Sequence, residues 1–237
     1  MKTPLDKIVE AEFDAFAGDY DAALEKGISV SGEGKEFFAK GRVAWLAKCL
    51  KIEGYSPKRI LDFGCGTGSA VPFLLGLCPD AELVGVDVSS KSIEIARNLH
   101  GSSRVSFLLM KDFVEQGSFD LAFCNGVFHH IPPHERGHTV EWIFSALRPG
   151  GYFSFWENNP WNPGTRIVMS RIPFDRDAQT ISAPDARKLL IAGGVEIIKS
   201  DSIFYFPRCM SYLRPLEHLL AWIPLGAQYQ ILARTSV

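Results

Sequence analysis

Apolar and polar positions along the chain change period several times, and each change marks an element. Leu5, Ile8, Val9, Phe13, Phe16 and Tyr20 recur at helical spacing and predict an amphipathic helix over 5–20. Beyond the loop at Gly32 and Gly34, residues Phe37, Phe38, Val43, Trp45 and Leu46 predict a second helix over 35–50. From Pro57 onward, short apolar runs alternate with helical patterns. The reading is strand 59–63, helix 69–77, strand 82–87, helix 91–99, strands 104–109 and 119–124, helix 134–147 and strand 151–157. Strands separated by helices of this length predict parallel βαβ units with right-handed crossovers. After Glu157 the pattern breaks at Asn158-Asn159-Pro160-Trp161-Asn162-Pro163-Gly164, and the chain to about 182 reads as irregular or briefly helical. A helix from Pro184 to Gly193-Gly194, a strand over 195–206 and a last strand over 227–233 complete a doubly wound, mostly parallel α/β sheet of seven strands. Between those two strands, 207–224 is unusually apolar, with Leu213, Leu216, Leu219, Leu220 and Trp222. It reads either as a helix packed on the sheet or cap, or as a lipid-facing element at a membrane surface.

Composition narrows the class. The chain has 237 residues, 46% of them hydrophobic and 22% charged, with a formal net charge of −2. That is enough chain for a single α/β domain with a small cap, and the charge gives no global reason to expect nucleic-acid binding. The five cysteines are scattered with no C-x-x-C pair, so neither a disulfide framework nor a thiolate zinc site is expected. The N-terminus does not read as a signal peptide, and no run of eighteen apolar residues suggests a membrane span. A soluble, cytoplasmic protein is expected.

The chemistry concentrates in Ile60-Leu61-Asp62-Phe63-Gly64-Cys65-Gly66-Thr67-Gly68. It reads as a buried strand that ends on an acid and opens into a glycine loop before a helix, the layout of a nucleotide-type cofactor site. Asp87 closes the next strand 21 positions after Gly66, the register of a carboxylate that holds a ribose hydroxyl pair. Dinucleotides share this layout, and a nicotinamide-dependent reductase is one alternative. Asp62 at the threshold would repel a pyrophosphate, whereas the ammonium and sulfonium of S-adenosylmethionine favour a carboxylate there. Cys65 sits where the loop needs a small residue, so packing rather than redox chemistry is expected of it.

With these motifs the chain resembles the class I S-adenosylmethionine-dependent methyltransferases, in particular their small-molecule type 11/12 group, over about 13–233 and most strongly over 59–157. The resemblance implies the Rossmann-like methyltransferase fold as a single domain. Residues 1–50 would form lid helices, 57–157 the cofactor core, 158–183 a cap after the fifth strand, and 184–237 the rest of the sheet. It implies that Asp62, Gly64, Cys65, Gly66 and Gly68 wrap the methionine part of the cofactor. Asp87, with Val88 beside it, would take the ribose. Met110-Lys111-Asp112-Phe113 matches the next motif, so Asp112 would bind the adenine amino group, with Lys111 and Phe113 beside the ring. The main chain around Cys124 to Val127, with Asn125, Gly126 and Val127 as the binding residues, would approach the methionine and sulfonium. Tyr20 would face cofactor or acceptor from the lid, and Arg42 would reach the methionine carboxylate unless it makes a surface salt bridge.

His134-Glu135-Arg136-Gly137-His138 spells a zinc-protease motif, H-E-x-x-H, but Pro132-Pro133 puts it in a first helical turn and Gly137 weakens that turn. No metal is expected. His129 and His130 lie past the fourth strand, at the edge where open α/β sheets bind ligands. They are candidates for a general base, or for a structural role that the resemblance also implies. Glu157, Asn158, Trp161 and Arg166, with Tyr20 and His129, are the candidate acceptor residues. A small-molecule or lipid-linked acceptor is expected, methylated by in-line displacement in a lidded pocket. An inactive adenosyl-ligand-binding module that acts through a partner is the alternative from outside enzymology.

Overall fold

The computed structural model describes residues 20–176 and 178–236. Seven strands form one sheet: β1 (Arg59–Phe63), β2 (Glu82–Asp87), β3 (Val105–Leu109), β4 (Phe119–Asn125), β5 (Leu147–Asn158), β6 (Glu196–Ile203) and β7 (Gln228–Arg234). Their order is β3-β2-β1-β4-β5-β7-β6. Pairings from β3 through β5 are parallel, and β7 runs antiparallel between β5 and β6. The order reverses between β1 and β4, so the crevice at their carboxyl ends is the place where such a sheet binds ligands.

The helices are α1 (Tyr20–Ile28), α2 (Lys35–Ile52), α3 (Val71–Leu77), α4 (Ser90–His100), α5 (Arg136–Ala146), α6 (Pro163–Arg171), α7 (Ala183–Ala192) and the short α8 (Glu217–Leu220). Alternate strand residues point to opposite faces, so one run of apolar residues serves two cores. Leu61 and Phe63 pack with Val140 and Ile143 of α5 and Leu190 of α7. Ile60 packs on the other face with Leu46 of α2, Leu74 of α3 and Ile93 of α4. Ser89 caps α4, its hydroxyl accepting the Ser92 N–H at 3.1 Å.

Several predicted bounds move, each for a visible reason. The helix expected over 134–147 begins at Arg136, because Pro132 and Pro133 leave 132–135 as a turn. The strand expected over 195–206 stops at Ile203, because Phe204 turns out of the ladder at φ +64. The irregular stretch after Glu157 contains a full helix, α6, capped by the Asn162 side chain, which accepts the Thr165 N–H at 2.9 Å. The helix expected over 5–20 lies outside the described residues except for Tyr20, which opens α1.

Candidate functional site

Two buried acceptor atoms mark the carboxyl edge of the sheet. Asp62 Oδ2 in β1 and Asn125 Oδ1 at the end of β4 have no hydrogen-bond partner among the described residues. Leaving a buried acceptor unpaired costs about 1–3 kcal/mol, so two on adjacent strands read as sockets for donors that a ligand brings. Burial first, and then the negative charge of Asp87, push the Asp62 carboxyl up to about 7, while Arg42 pulls it the other way. Asp87 holds the glycine loop by accepting the Gly66 N–H at 2.8 Å and the Ser89 N–H at 2.9 Å. Gly66 has φ +52, and the space where a Cβ would stand is open. A Cβ on Gly64, at φ +68, would lie 2.4 Å from a Val127 methyl, so the loop and the end of β4 meet only without a side chain there. Cys65 is buried with its thiol pushed well up, by burial first and then by Asp62 and Asp87, which suits packing rather than reactivity.

The third acid lies on the rim. Lys111 and Asp112 are exposed on a 3₁₀ turn after β3, and half-buried Val88 follows Asp87. The Phe113 ring is buried in the core, 4.9 Å from that of Trp142 and 5.8 Å from that of Phe119. Arg42 is buried, not at the surface, and donates to Gln228 Oε1 at 2.9 Å.

Beside these atoms lies a cavity of about 340 Å³. Leu24 and Ile28 of α1, Phe37, Phe38 and Arg42 of α2, Val168 of α6, and Phe204 and Phe206 line it, with Asn125, Gly126, His129, His130 and Asn158 at its inner end. Residues of α1 and α2 on one side and of α6 on the other thus line this space. Three of the candidate acceptor residues lie away from this cavity. Trp161 is half exposed and Arg166 exposed, and neither lines the cavity, because α6 turns its Thr165 and Val168 side inward instead. Glu157 is buried beneath His129 and is not among the cavity residues. The Tyr20 side chain lies outside the described residues.

Glu157 instead anchors a polar cluster. Its Oε1 accepts the Phe128 N–H at 2.7 Å, and its Oε2 lies 2.6 Å from His129 Nδ1. His129 Nε2 is 3.4 Å from Asp175 Oδ1, and His130 Nε2 is 3.3 Å from the same oxygen. Burial opposes charge on His129, but Glu157 and Asp175 outweigh it and raise its pKa well above the histidine range. Burial likewise opposes both carboxylates, and His129 foremost brings them below theirs. Protonated, with a carboxylate at each nitrogen, His129 has no lone pair to accept a proton. His130 is the less buried of the two imidazoles and lines the cavity. Sequence reading missed Asp175, Phe204 and Gln228 here. Asp175 sits in a 3₁₀ turn of the cap, 46 positions from His129, and no spacing signals it.

The H-E-x-x-H residues do not converge: the His134 side chain is 75% and that of His138 85% exposed, each beside a neighbouring glutamate. The apolar stretch 207–224 forms a 3₁₀ helix (Arg208–Leu216) followed by α8, not one packed helix. Glu217 fastens it by accepting the N–H groups of Tyr205 and Phe206, both at 3.0 Å. Arg214 pairs with Glu33 at 2.9 Å and lies over the Phe37 ring. Much of its apolar surface faces outward, with Trp222 78% and Tyr212 74% exposed. No helix among the described residues is long and apolar enough to cross a membrane.

Comparison with known proteins agrees with this geometry. Residues 60–151 match the family described as a methyltransferase domain. The malonyl-[acyl-carrier protein] O-methyltransferase of Acetivibrio thermocellus is 28% identical over 151 residues, which cover 63% of this chain and 48% of that protein. The trans-aconitate 2-methyltransferase of Rhodopseudomonas palustris is 25% identical over 142 residues, covering 59% of this chain and 55% of that one. The chain thus spans about half the length of these curated relatives. In fold it is similar to a Haloferax volcanii putative methyltransferase solved in complex with the Trm112 methyltransferase activator, with TM-score 0.66 and 20% identity over 95% of this chain and 98% of that one. Domain match over residues 60–151, sheet order and strand-end acids together support a class I, S-adenosylmethionine-dependent methyltransferase.

Proposed function

We propose that the protein transfers a methyl group to a small or lipid-linked, largely apolar acceptor held in the cavity between the lids. The observation that carries this reading is the pair of buried oxygens, Asp62 Oδ2 and Asn125 Oδ1, that have no partner among the described residues, Asn125 being on the wall of that cavity. S-adenosylmethionine, when bound, supplies an electrophilic methyl on a sulfonium. Asp62 would receive the ammonium of that ligand, Asp87 its ribose hydroxyls and Arg42 its carboxylate. Asn125, Gly126 and Val127 would border the sulfonium, and Lys111 and Asp112 the adenine. The protein's own contribution is alignment of the acceptor and exclusion of water, by the apolar walls of α1, α2 and α6. His130, oriented by Asp175, faces the acceptor's proton.

Two further features extend the reading. The cavity wall continues through Phe206 and Arg214 to the outward-facing residues of 207–224, which favours an amphiphilic acceptor delivered at a membrane surface. All five cysteines are free thiols, which suits a reducing compartment, and we assign the protein to the cytoplasm.

Calorimetry with S-adenosylhomocysteine and with NAD tests the cofactor. Binding of the first and not the second is expected, and Asp87→Ala is expected to weaken it by about 1–3 kcal/mol. Binding of NAD alone would overturn the proposal.

A further inference from the structure

His129, His130 and Asp175 bring three metal-ligating side chains to one point on the cavity wall, with one ligand atom of each within 4.8 Å of the other two. We propose that they bind one first-row divalent cation of the zinc type, with a fourth position open to the acceptor. Asp175 Oδ1 lies 3.4 Å from His129 Nε2 and 3.3 Å from His130 Nε2. A tetrahedral shell with bonds of ~2.0–2.1 Å sets neighbouring donor atoms ~3.3–3.4 Å apart, so these two edges of the shell are already formed. Support from behind is also in place. Glu157, itself anchored on the Phe128 N–H, engages His129 Nδ1 at 2.6 Å, which fixes the ring and turns Nε2 toward the shared oxygen. A carboxylate behind a ligating imidazole is a recurrent feature of metal sites.

Donor chemistry and charge select the ion. Two imidazoles and one carboxylate suit zinc, cobalt, iron or manganese, whereas magnesium and calcium take oxygen shells. Glu157 and Asp175 put two negative charges in a buried place, and a dication balances them with both imidazoles neutral. Binding forms two metal–nitrogen bonds and one metal–oxygen bond. The proton otherwise held between His129 Nε2 and Asp175 leaves to solvent. His129, His130 and Asp175 line the cavity together with Asn125 and Gly126, so an open position there would be reached from it. An acceptor oxygen ligated there loses its proton more readily, so the metal takes over the part given above to His130. That use rests on the methyl-transfer reading; the binding itself does not.

The test is titration of the chelator-stripped full chain with cobalt(II), read by its d–d absorption, with circular dichroism as the check on folding. One cobalt per chain is expected. Asp175→Asn and His130→Ala should each weaken binding by at least ~100-fold, and Glu157→Gln by ~10–100-fold. A His134→Ala/His138→Ala variant should bind as the wild type does. X-ray absorption on wild-type protein loaded with zinc should count two imidazoles per metal, which keeps the test decisive if a variant fails to fold. No cobalt binding, unchanged binding in Asp175→Asn, or loss in the His134/His138 variant would each overturn the site. Failure of the methyl-transfer reading would appear separately, as no binding of S-adenosylhomocysteine.

Discussion

Asp62 is the residue at which ligand binding and pH meet. Its carboxyl, raised by burial and then by Asp87, titrates at about 7 against an ordinary 3.8. Between those values the folded chain keeps a proton that the unfolded chain has released, so stability falls as pH rises across the window and levels off above it. Thermal unfolding of the ligand-free protein from ~pH 5 to ~pH 8 should show this decline, and Asp62→Asn should flatten it. An ammonium placed at Oδ2 favours the ionised carboxylate and expels the proton. Affinity for S-adenosylhomocysteine should therefore rise up to ~tenfold per pH unit below pH 7 and level off above. Calorimetry in two buffers of different ionisation enthalpy reads the proton release directly. A flat affinity without release would mean that the ammonium does not meet Asp62.

Elements differ in how much of them the sequence carries. The bounds of β1 and β2 can be read to the residue, because short continuous apolar runs, buried on both faces, are closed there by an acid, Asp62 next to last in β1 and Asp87 last in β2, and the glycine loop follows β1 at once. The strand-end acids were legible for the same reason: the spacing along the chain is the spacing that parallel neighbours impose. Asp175 and Phe204 were not. One reaches the histidines only through the fold of the cap, and the other occupies a backbone conformation that a bulky side chain rarely adopts. The glycine loop gives the expectation at this scale. Gly64→Ala combines a positive φ with a Cβ 2.4 Å from Val127. It should cost more than ~1 kcal/mol in denaturant unfolding and also weaken S-adenosylhomocysteine. By contrast Asn162→Ala, which removes the cap of α6, should cost ~1 kcal/mol and leave cofactor affinity unchanged. Equal loss of affinity in both variants would mean that general loosening, not the loop's shape, governs binding.

At the scale of the molecule, the parallel strands aim their carboxyl ends one way, α1, α2 and α6 line a cavity there, and Pro207 and Arg214 bring the segment 207–224 to its wall. Its outward apolar residues do little for the fold: Tyr212, Leu219 and Trp222 are exposed, while Glu217, Arg214 and the buried Ala221 fasten the segment. Surface residues of this kind usually change stability by within ~0.5 kcal/mol when replaced. If these three serve a membrane-delivered acceptor, the Tyr212→Ser/Leu219→Ser/Trp222→Ser variant should keep the wild-type melting temperature and its affinity for S-adenosylhomocysteine. It should lose cosedimentation with phospholipid vesicles that the wild type shows. Vesicle binding that survives the triple change, or is absent from the wild type, would detach this segment from membranes. The acceptor would then be one that reaches the cavity from water, and the apolar walls of α1, α2 and α6 alone would set its chemistry.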